Sequence, residues 1–181
     1  CNPKSLGASG GEYWHYRAND PAPKGTAMLN GGCTCGEIRY RMTDKPLFTH
    51  ACHCTWCQRE SGGPLALNAM IETNCVALLK GSPVEVPLPS ASGKGQIMLR
   101  CPTCQITLWS YYAGAGRKMA FIRVGTLDDA SLCPPDIHIF TSTKLPWFVL
   151  NDDIPAVPEY YQRSKYWPAA SLARRAAALE S

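Results

Sequence analysis

Charged residues and long apolar runs are both scarce in this 181-residue chain, and each scarcity excludes a class of protein. Only 18% of the residues are charged and the formal net charge is +4, whereas nucleic-acid-binding domains concentrate basic residues in a patch or stripe. No stretch approaches the roughly 18 consecutive apolar residues that indicate a membrane-spanning helix. With 45% hydrophobic residues, the chain is too apolar to be disordered throughout. The composition predicts one globular domain that binds neither membrane nor nucleic acid.

A secretory signal is also missing from residues 1–24, which lack the charged start, apolar run and small-residue cleavage site of such a segment. We therefore expect a cytoplasmic protein with reduced thiols, because disulfides persist mainly in oxidising compartments. Residues 1–26 hold proline, glycine and asparagine with little periodicity. They predict a leader that is extended or partly disordered, in which Tyr13, Trp14 and Tyr16 indicate some packing against the domain.

Short strand-like segments separated by turns follow the leader. Residues 37–42 alternate, with Ile38, Tyr40 and Met42 on one face, which is the period-two pattern of a strand. Glycine and proline contribute 15 residues each and favour short elements over long helices. Further strand-like runs are residues 65–71, 84–88, 97–99, 106–112, 119–124 and 137–141. We predict a mainly β domain over residues 27–165, built from several short antiparallel sheets.

Two short helices are predicted outside these strands. Residues 55–61 can form a helical turn before the stop at Gly62 and Gly63. The tail, residues 166–181, is rich in alanine and predicts a C-terminal helix with Pro168 in its first turn. Its Arg174–Arg175 pair is compatible with a membrane or nucleic-acid contact, but a solvated terminal helix is our prediction.

Cysteine is abundant, with ten residues, and seven of them fall into three close groups. The groups are Cys33-Thr-Cys35, residues 52–57 (CHCTWC) and residues 101–104 (CPTC). A C-x-x-C turn points two sulfurs at one ion, and C-x-C residues share one face of an extended chain. Tetrahedral zinc needs such local pairs from two segments, whereas disulfides in such short loops are strained. We predict zinc ligands here, and packing roles for the isolated Cys75 and Cys133.

Seven sulfurs divide naturally into four and three. A closed structural zinc takes four protein ligands, and a catalytic zinc takes three and keeps a position open. The count alone allows the 33/35 pair to join either C-x-x-C group, but the middle group offers three thiols within one short loop. We therefore predict two zinc ions per chain. The structural site is Cys33, Cys35, Cys101 and Cys104, and the open, catalytic site is Cys52, Cys54 and Cys57.

The same motifs, C-x-C-G at residues 33–36, C-H-C-x-x-C at 52–57 and C-P-x-C at 101–104, point to a known family. Together with IHIF at 137–140, KLPW at 144–147 and DD at 152–153, they resemble the glutathione-dependent formaldehyde-activating enzyme family, which also includes centromere protein V. The resemblance spans roughly residues 28–160. The leader and the alanine-rich tail fall outside it.

This resemblance implies a β-sheet fold around a structural zinc, related to that of a zinc-binding chaperone of Rab GTPases, with the same division of ligands. It also implies an activity, in which glutathione sulfur joins formaldehyde carbon to give S-hydroxymethylglutathione; the reverse reaction is a carbon–sulfur lyase. The family usually has glycine after the last C-x-x-C, where this chain has Gln105. Because a positive φ is unfavourable for glutamine, we expect the turn there to differ.

Glutathione carries two carboxylates, so a productive pocket needs cations near the open site. Arg59, two residues after Cys57, is the predicted substrate-binding residue. Other candidates are Arg100, Arg117 and Lys118. In an extended segment, the side chain of His53 is expected to point away from the neighbouring sulfurs. Two alternatives stay open: the same zinc site acting as lyase or dehydratase on another small molecule, and a non-enzymatic, zinc-stabilised interaction module.

Overall fold

The structure, a computed structural model, describes residues 28–90 and 93–180, which form a seven-stranded and a three-stranded sheet with two helices. The strands are β1 (Leu29–Gly32), β2 (Arg39–Met42), β3 (Phe48–Cys52), β4 (Ala66–Glu72), β5 (Val76–Lys80), β6 (Val84–Leu88), β7 (Gln96–Arg100), β8 (Thr107–Tyr112), β9 (Met119–Arg123) and β10 (Ile137–Ile139). The helices are α1 (Thr55–Ser61) and α2 (Ala169–Glu180). The predicted leader, with Tyr13, Trp14 and Tyr16, lies outside the described residues.

The mainly β fold class predicted from the sequence is confirmed, with one difference in strand direction. The small sheet has the order β1-β2-β5 and the large sheet β10-β3-β4-β9-β8-β7-β6. Every pairing is antiparallel except that of β10 with β3, which is parallel. The Asp136 carboxylate accepts a hydrogen bond from the Thr49 backbone N–H at 2.7 Å, which ties the start of β10 to β3.

Strand β4 shows how the large sheet buries both of its faces. Ala69 and Ile71 point into a core between the two sheets, which also contains Tyr40 from the small sheet. The alternate residue Met70 points into a second core on the opposite face, with Phe48 of β3. Because successive strand residues point to opposite faces, a strand covered on both sides is apolar without alternation. Strand β4 was predicted from such an apolar run, whereas β3, buried at all five positions, includes two polar side chains and shows neither an apolar run nor alternation.

A cysteine caps the N-terminus of helix α1, and a glycine caps its C-terminus. The Cys54 side chain caps the N-terminus by accepting the Cys57 backbone N–H at 3.4 Å. Gly62 ends the helix with φ +66°, a left-handed conformation that glycine adopts without steric cost. The seven-residue helix has the bounds predicted from the sequence and places Cys57 on its buried side.

The tail is not the solvated helix that the sequence predicted. Trp167, 5% exposed, stacks on Phe48 with ring centroids 5.3 Å apart, and Leu172 of α2 packs against the second core. Arg174 donates to both carboxylate oxygens of Glu72 at 2.7 and 2.8 Å. Alanine-rich helices have a weak hydrophobic face. The hydrophobic periodicity of α2 therefore did not indicate that the preceding tryptophan and an ion pair attach the helix to the large sheet. Neither described helix is long and apolar enough to cross a membrane.

Candidate metal centres and an adjoining cavity

Four cysteine sulfurs converge where the two sheets meet. Cys33 and Cys35 lie in the turn between β1 and β2, and Cys101 and Cys104 lie in the turn between β7 and β8. Their Sγ atoms all lie within 4.8 Å of one another, with 3.4 Å from Cys33 to Cys35 and 3.6 Å from Cys35 to Cys101. Sulfurs about 2.3 Å from a tetrahedral zinc are about 3.8 Å apart, so this donor set fits zinc.

Backbone N–H groups stabilise thiolates in this quartet. Burial opposes ionisation of Cys33, but its Sγ accepts the Ile38 N–H at 3.2 Å and its pKa is lowered. Burial likewise opposes ionisation of Cys104, yet the Ile106 N–H helps to lower its pKa to about 6. Metal ligation needs the thiolate form, so the local backbone favours metal binding.

The turn after Cys104 contains a residue with positive φ, a conformation that we did not expect for the glutamine at this position. Gln105 adopts φ +61°, in the left-handed region. Its Nε2 donates to the Pro102 carbonyl at 2.8 Å, and its backbone N–H donates to the Cys101 carbonyl at 3.0 Å. The expectation of a different turn is therefore wrong. The chain keeps the chelating turn and accepts a left-handed glutamine there.

A second group of sulfurs lies at the start of α1. Cys52 ends β3, Cys54 caps the helix and Cys57 lies in its first turn, with all three Sγ atoms within 4.8 Å of one another. The thiols of Cys52 and Cys57 lower the pKa of Cys54, whereas the thiols of Cys54 and Cys57 raise the pKa of Cys52. One thiolate is therefore stabilised and further ionisation is resisted unless a cation binds. We call Cys52, Cys54 and Cys57 the cysteine trio.

The histidines near the trio have other partners. His53 is fully buried and points to His138, with Nε2 and Nδ1 of the two rings 2.9 Å apart. Its orientation away from the sulfurs is the one expected for an extended segment. His50 bonds the Tyr161 hydroxyl through Nε2 at 2.7 Å, and burial lowers the pKa of His50 to about 4. In the described part of the chain, no fourth Cys, His, Asp or Glu atom joins the trio.

The trio forms part of the wall of a cavity of about 330 Å³. The floor is the second face of the large sheet, and α1 and the tail form the sides. Much of the lining is aromatic: Trp56, Tyr112, Phe121, Phe140 and Tyr160. Cavities of this size with apolar walls and a few polar groups are typical small-molecule sites. The trio thus faces a chamber, whereas the quartet lies between turns.

Cationic side chains line the cavity, but they are not those chosen from the sequence. Arg59 is exposed on α1 and is not among the lining residues. Arg100 pairs with Glu60 at 2.7 Å, and Arg117 and Lys118 are exposed away from the lining. The lining arginines are Arg123, Arg163 and Arg175.

Sequence analysis missed these three arginines for different reasons. Arg123 ends β9 on the same face as Phe121, where it donates to the Asn68 side chain, so strand alternation could have revealed its direction. Arg175 lies in the tail, and Arg163 lies in a short turn of helix just before it. No local pattern indicates that this segment folds back over the large sheet.

The fold and the sulfur groups define a mainly β domain with two cysteine clusters that could each hold a metal ion. A family model described as "glutathione-dependent formaldehyde-activating enzyme" matches residues 28–143, which is more than half of the chain. The chain belongs to this family. The match ends before the KLPW and DD segments that also suggested the resemblance.

A crystal structure of a Rhodobacter sphaeroides protein is similar to this chain with a TM-score of 0.42 and 14% sequence identity, covering 71% of this chain and 99% of the other. No curated protein matches the chain.

Proposed function

We propose that this chain is a zinc enzyme that joins the sulfur of glutathione to the carbon of formaldehyde, giving S-hydroxymethylglutathione, and that catalyses the reverse carbon–sulfur lyase reaction. The proposal assigns two zinc ions, a structural one to the quartet and a catalytic one to the cysteine trio. Membership of the formaldehyde-activating family supports the chemistry.

The observation that carries the proposal is the position of the trio on the cavity wall. The three sulfurs lie within 4.8 Å of one another, have no fourth ligand among the described residues, and line the 330 Å³ chamber, so they would hold a zinc ion with three protein ligands. A zinc ion in the trio would supply a coordination position at which a substrate thiol loses its proton at neutral pH. The closed quartet offers no such position.

The chain's residues prepare the cavity for sulfur addition. The Cys52 thiol lowers the pKa of Cys57, but the Cys54 thiol and burial outweigh it and raise that pKa to about 11; the positive charge of Arg123 opposes this rise and offsets a small part of the trio's negative charge. Aromatic walls exclude water, which otherwise competes with a thiol for the carbonyl carbon of formaldehyde. The new carbon–sulfur bond forms as the carbonyl π electrons move to oxygen, which takes up the proton that the thiol lost.

Tyr112 is the side chain that we assign to the developing oxyanion. It lines the cavity beside the trio, and loss of solvent followed by the charge of Cys57 raises its pKa. The hydroxyl therefore stays protonated and can donate a hydrogen bond to the substrate oxygen. A Tyr112→Phe variant is expected to lower kcat about tenfold or more, with a smaller effect on glutathione binding.

The aromatic lining also favours a second candidate, in which the same zinc site acts on a larger aldehyde or another thiol adduct. The five aromatic side chains of the lining present more apolar surface than a molecule as small as formaldehyde can contact. The two candidates differ in the aldehyde used, so rates with a series of aldehydes of increasing size separate them. A purely structural role for both clusters is disfavoured by the chamber beside the trio.

Metal content and exchange kinetics test the proposal together. The full chain should hold two zinc ions, and it should speed the equilibration of ¹³C-formaldehyde with glutathione as followed by NMR. Cys54→Ser should lose this acceleration and one zinc. The matched control, Cys75→Ser, makes the same chemical change at a half-buried cysteine outside both clusters and should lose neither. An unchanged rate in Cys54→Ser would contradict the proposal.

A further inference from the structure

The C-terminal part of the chain contributes two guanidinium groups to the cavity. Arg163 precedes α2 and Arg175 lies within it, and both line the chamber that the cysteine trio faces. Both residues lie beyond residue 143, where the match to the family model ends. They are therefore a feature of this chain rather than of the matched family region.

Both arginines have hydrogen-bonding capacity left over. The Nε atoms of Arg163 and Arg175 are buried, and neither has a hydrogen-bond partner among the described residues. The Nε of Arg100 also lacks a partner, but that guanidinium is paired with a carboxylate. Four arginines form such pairs: Arg39 with Asp128, Arg100 with Glu60, Arg117 with Glu85 and Arg174 with Glu72. A buried donor without a partner costs free energy comparable to a lost hydrogen bond.

The two cations also lie close enough to repel each other. Burial lowers the pKa of Arg175, and the positive charge of Arg163 lowers it further. Like charges held together without a counter-ion are unfavourable, and such arrangements concentrate at functional sites. An anion in the chamber would relieve this repulsion.

Neighbouring contacts restrain the Arg163 side chain and the helix that carries Arg175. The Arg163 guanidinium carbon lies 5.5 Å above the centre of the Tyr160 ring, and its Nη2 donates to the Tyr160 hydroxyl at 3.3 Å. Next to Arg175, Arg174 clamps α2 to the sheet through Glu72. Restricted side chains lose less entropy on binding, so the pair is prepared for a ligand.

The charge of the chamber is unbalanced. Glu60 is the one carboxylate among the described lining residues, and its oxygens already accept from Arg100 and from the Thr107 hydroxyl, at 2.7 and 2.6 Å. Three arginines line the same chamber. Arg123 lies near enough to the trio to oppose the rise in the pKa of Cys57, and no described carboxylate forms an ion pair with Arg163 or Arg175.

We infer that Arg163 and Arg175 form a carboxylate-binding subsite that orients a thiol substrate with its sulfur toward the cysteine trio. The inference rests on the proposed function, because that function supplies a thiol substrate carrying carboxylates. The planar fork of a guanidinium matches a carboxylate in two parallel hydrogen bonds. Arg163 and Arg175 are substrate-positioning residues, and the trio remains the reacting centre.

Calorimetric titration of the zinc-replete full chain with three peptides tests this inference. S-methylglutathione keeps both carboxylates but has a blocked sulfur, glutathione diethyl ester lacks the carboxylate charges, and reduced glutathione has both features. Arg163→Gln and Arg175→Gln are each expected to weaken S-methylglutathione binding about tenfold. They should leave binding of the diethyl ester unchanged. Lys165→Gln is the control, because it removes one positive charge from an exposed position in the same segment.

The outcomes separate the two proposals. Equal binding of S-methylglutathione by the wild type and both glutamine variants, or no binding by the wild type, overturns the subsite. Reduced glutathione binding no more tightly than S-methylglutathione contradicts a sulfur role at the trio, but the subsite stands if the arginine variants weaken both peptides. Should a glutamine variant fail to fold, the corresponding Arg→Lys variant replaces it. That variant keeps the charge and loses the fork, so it should still bind S-methylglutathione several-fold more weakly.

Discussion

Arg174 of α2 and Glu72 of β4, 102 positions apart in the chain, form a two-point ion pair with N–O distances of 2.7 and 2.8 Å. The Glu72 side chain is 9% exposed and that of Arg174 is 29% exposed. The pair therefore joins the tail to a central strand of the large sheet in a partly desolvated position. It holds α2 beside the cavity, where the next residue, Arg175, forms part of the lining.

Replacing Arg174 by methionine should weaken this attachment. We expect the free energy of unfolding to fall by about 1–2 kcal/mol, between the values for exposed and buried pairs, because Glu72 is left without its cation. Urea denaturation measures the loss, and amide hydrogen exchange should show faster exchange confined to α2. Arg117→Met breaks a pair that is exposed on both sides and should change stability little. Equal losses in the two variants would contradict a special role of the tail contact.

Cys101→Ser and Cys54→Ser should have different effects on the fold. The quartet joins turns of both sheets, and an apparent zinc-binding free energy of about 10–16 kcal/mol is comparable to the whole stability of a domain. Cys101→Ser should therefore abolish cooperative unfolding, whereas Cys54→Ser should keep the native near-UV spectrum. Circular dichroism and zinc analysis of both variants check this. If the two variants lose structure to the same extent, the trio is also a structural site.

Gln105→Gly should raise the stability of the chain. A left-handed conformation costs a non-glycine residue about 1–2 kcal/mol, but the substitution also removes the Nε2 bond to Pro102 and adds flexibility to the unfolded chain. A net gain of up to about 1 kcal/mol is expected in urea denaturation. Gln105→Val should have the opposite sign, because a β-branched residue tolerates positive φ poorly. A less stable glycine variant would mean that the side-chain hydrogen bond outweighs the strain.

Asp136 should give the chain a measurable pH dependence. Burial raises its pKa, and its hydrogen bond from Thr49 opposes the shift only in part. The folded state then binds the proton more tightly than the unfolded state, so the contribution of Asp136 to stability falls as the pH rises from about 4 through its folded pKa. Asp136→Asn keeps an acceptor for the Thr49 N–H and cannot titrate.

The stability difference between wild type and Asp136→Asn isolates this effect, because protonation of the cysteine ligands affects both proteins alike. Urea denaturation between pH 4 and 8 should show the wild type losing stability relative to the variant as the pH rises. A difference that is constant with pH, or that grows in favour of the wild type, would show that Asp136 is not destabilised by burial.

Part of the fold was predictable because its determinants are local. Helix α1 is bounded by Cys54 and Gly62, and α2 begins at Ala169, one residue after the proline that the sequence placed in its first turn. Three strands were missed: β1, β3 and β5. In β1, Gly31 looks like a turn residue, but a Cβ there would lie 2.6 Å from the Tyr40 ring, so a close approach between strands requires the glycine. Such a requirement exists only once the small sheet has formed.

The sulfur groups were readable from the sequence by itself, because a metal ion demands its donors at short, local spacings. Which sulfurs face a chamber, and which cations accompany them, was decided by tertiary structure alone. Arg163 and Arg175 reach the cavity because Trp167 packs on Phe48 and Arg174 binds Glu72. Those contacts join segments about a hundred residues apart, and no periodicity within either segment encodes them.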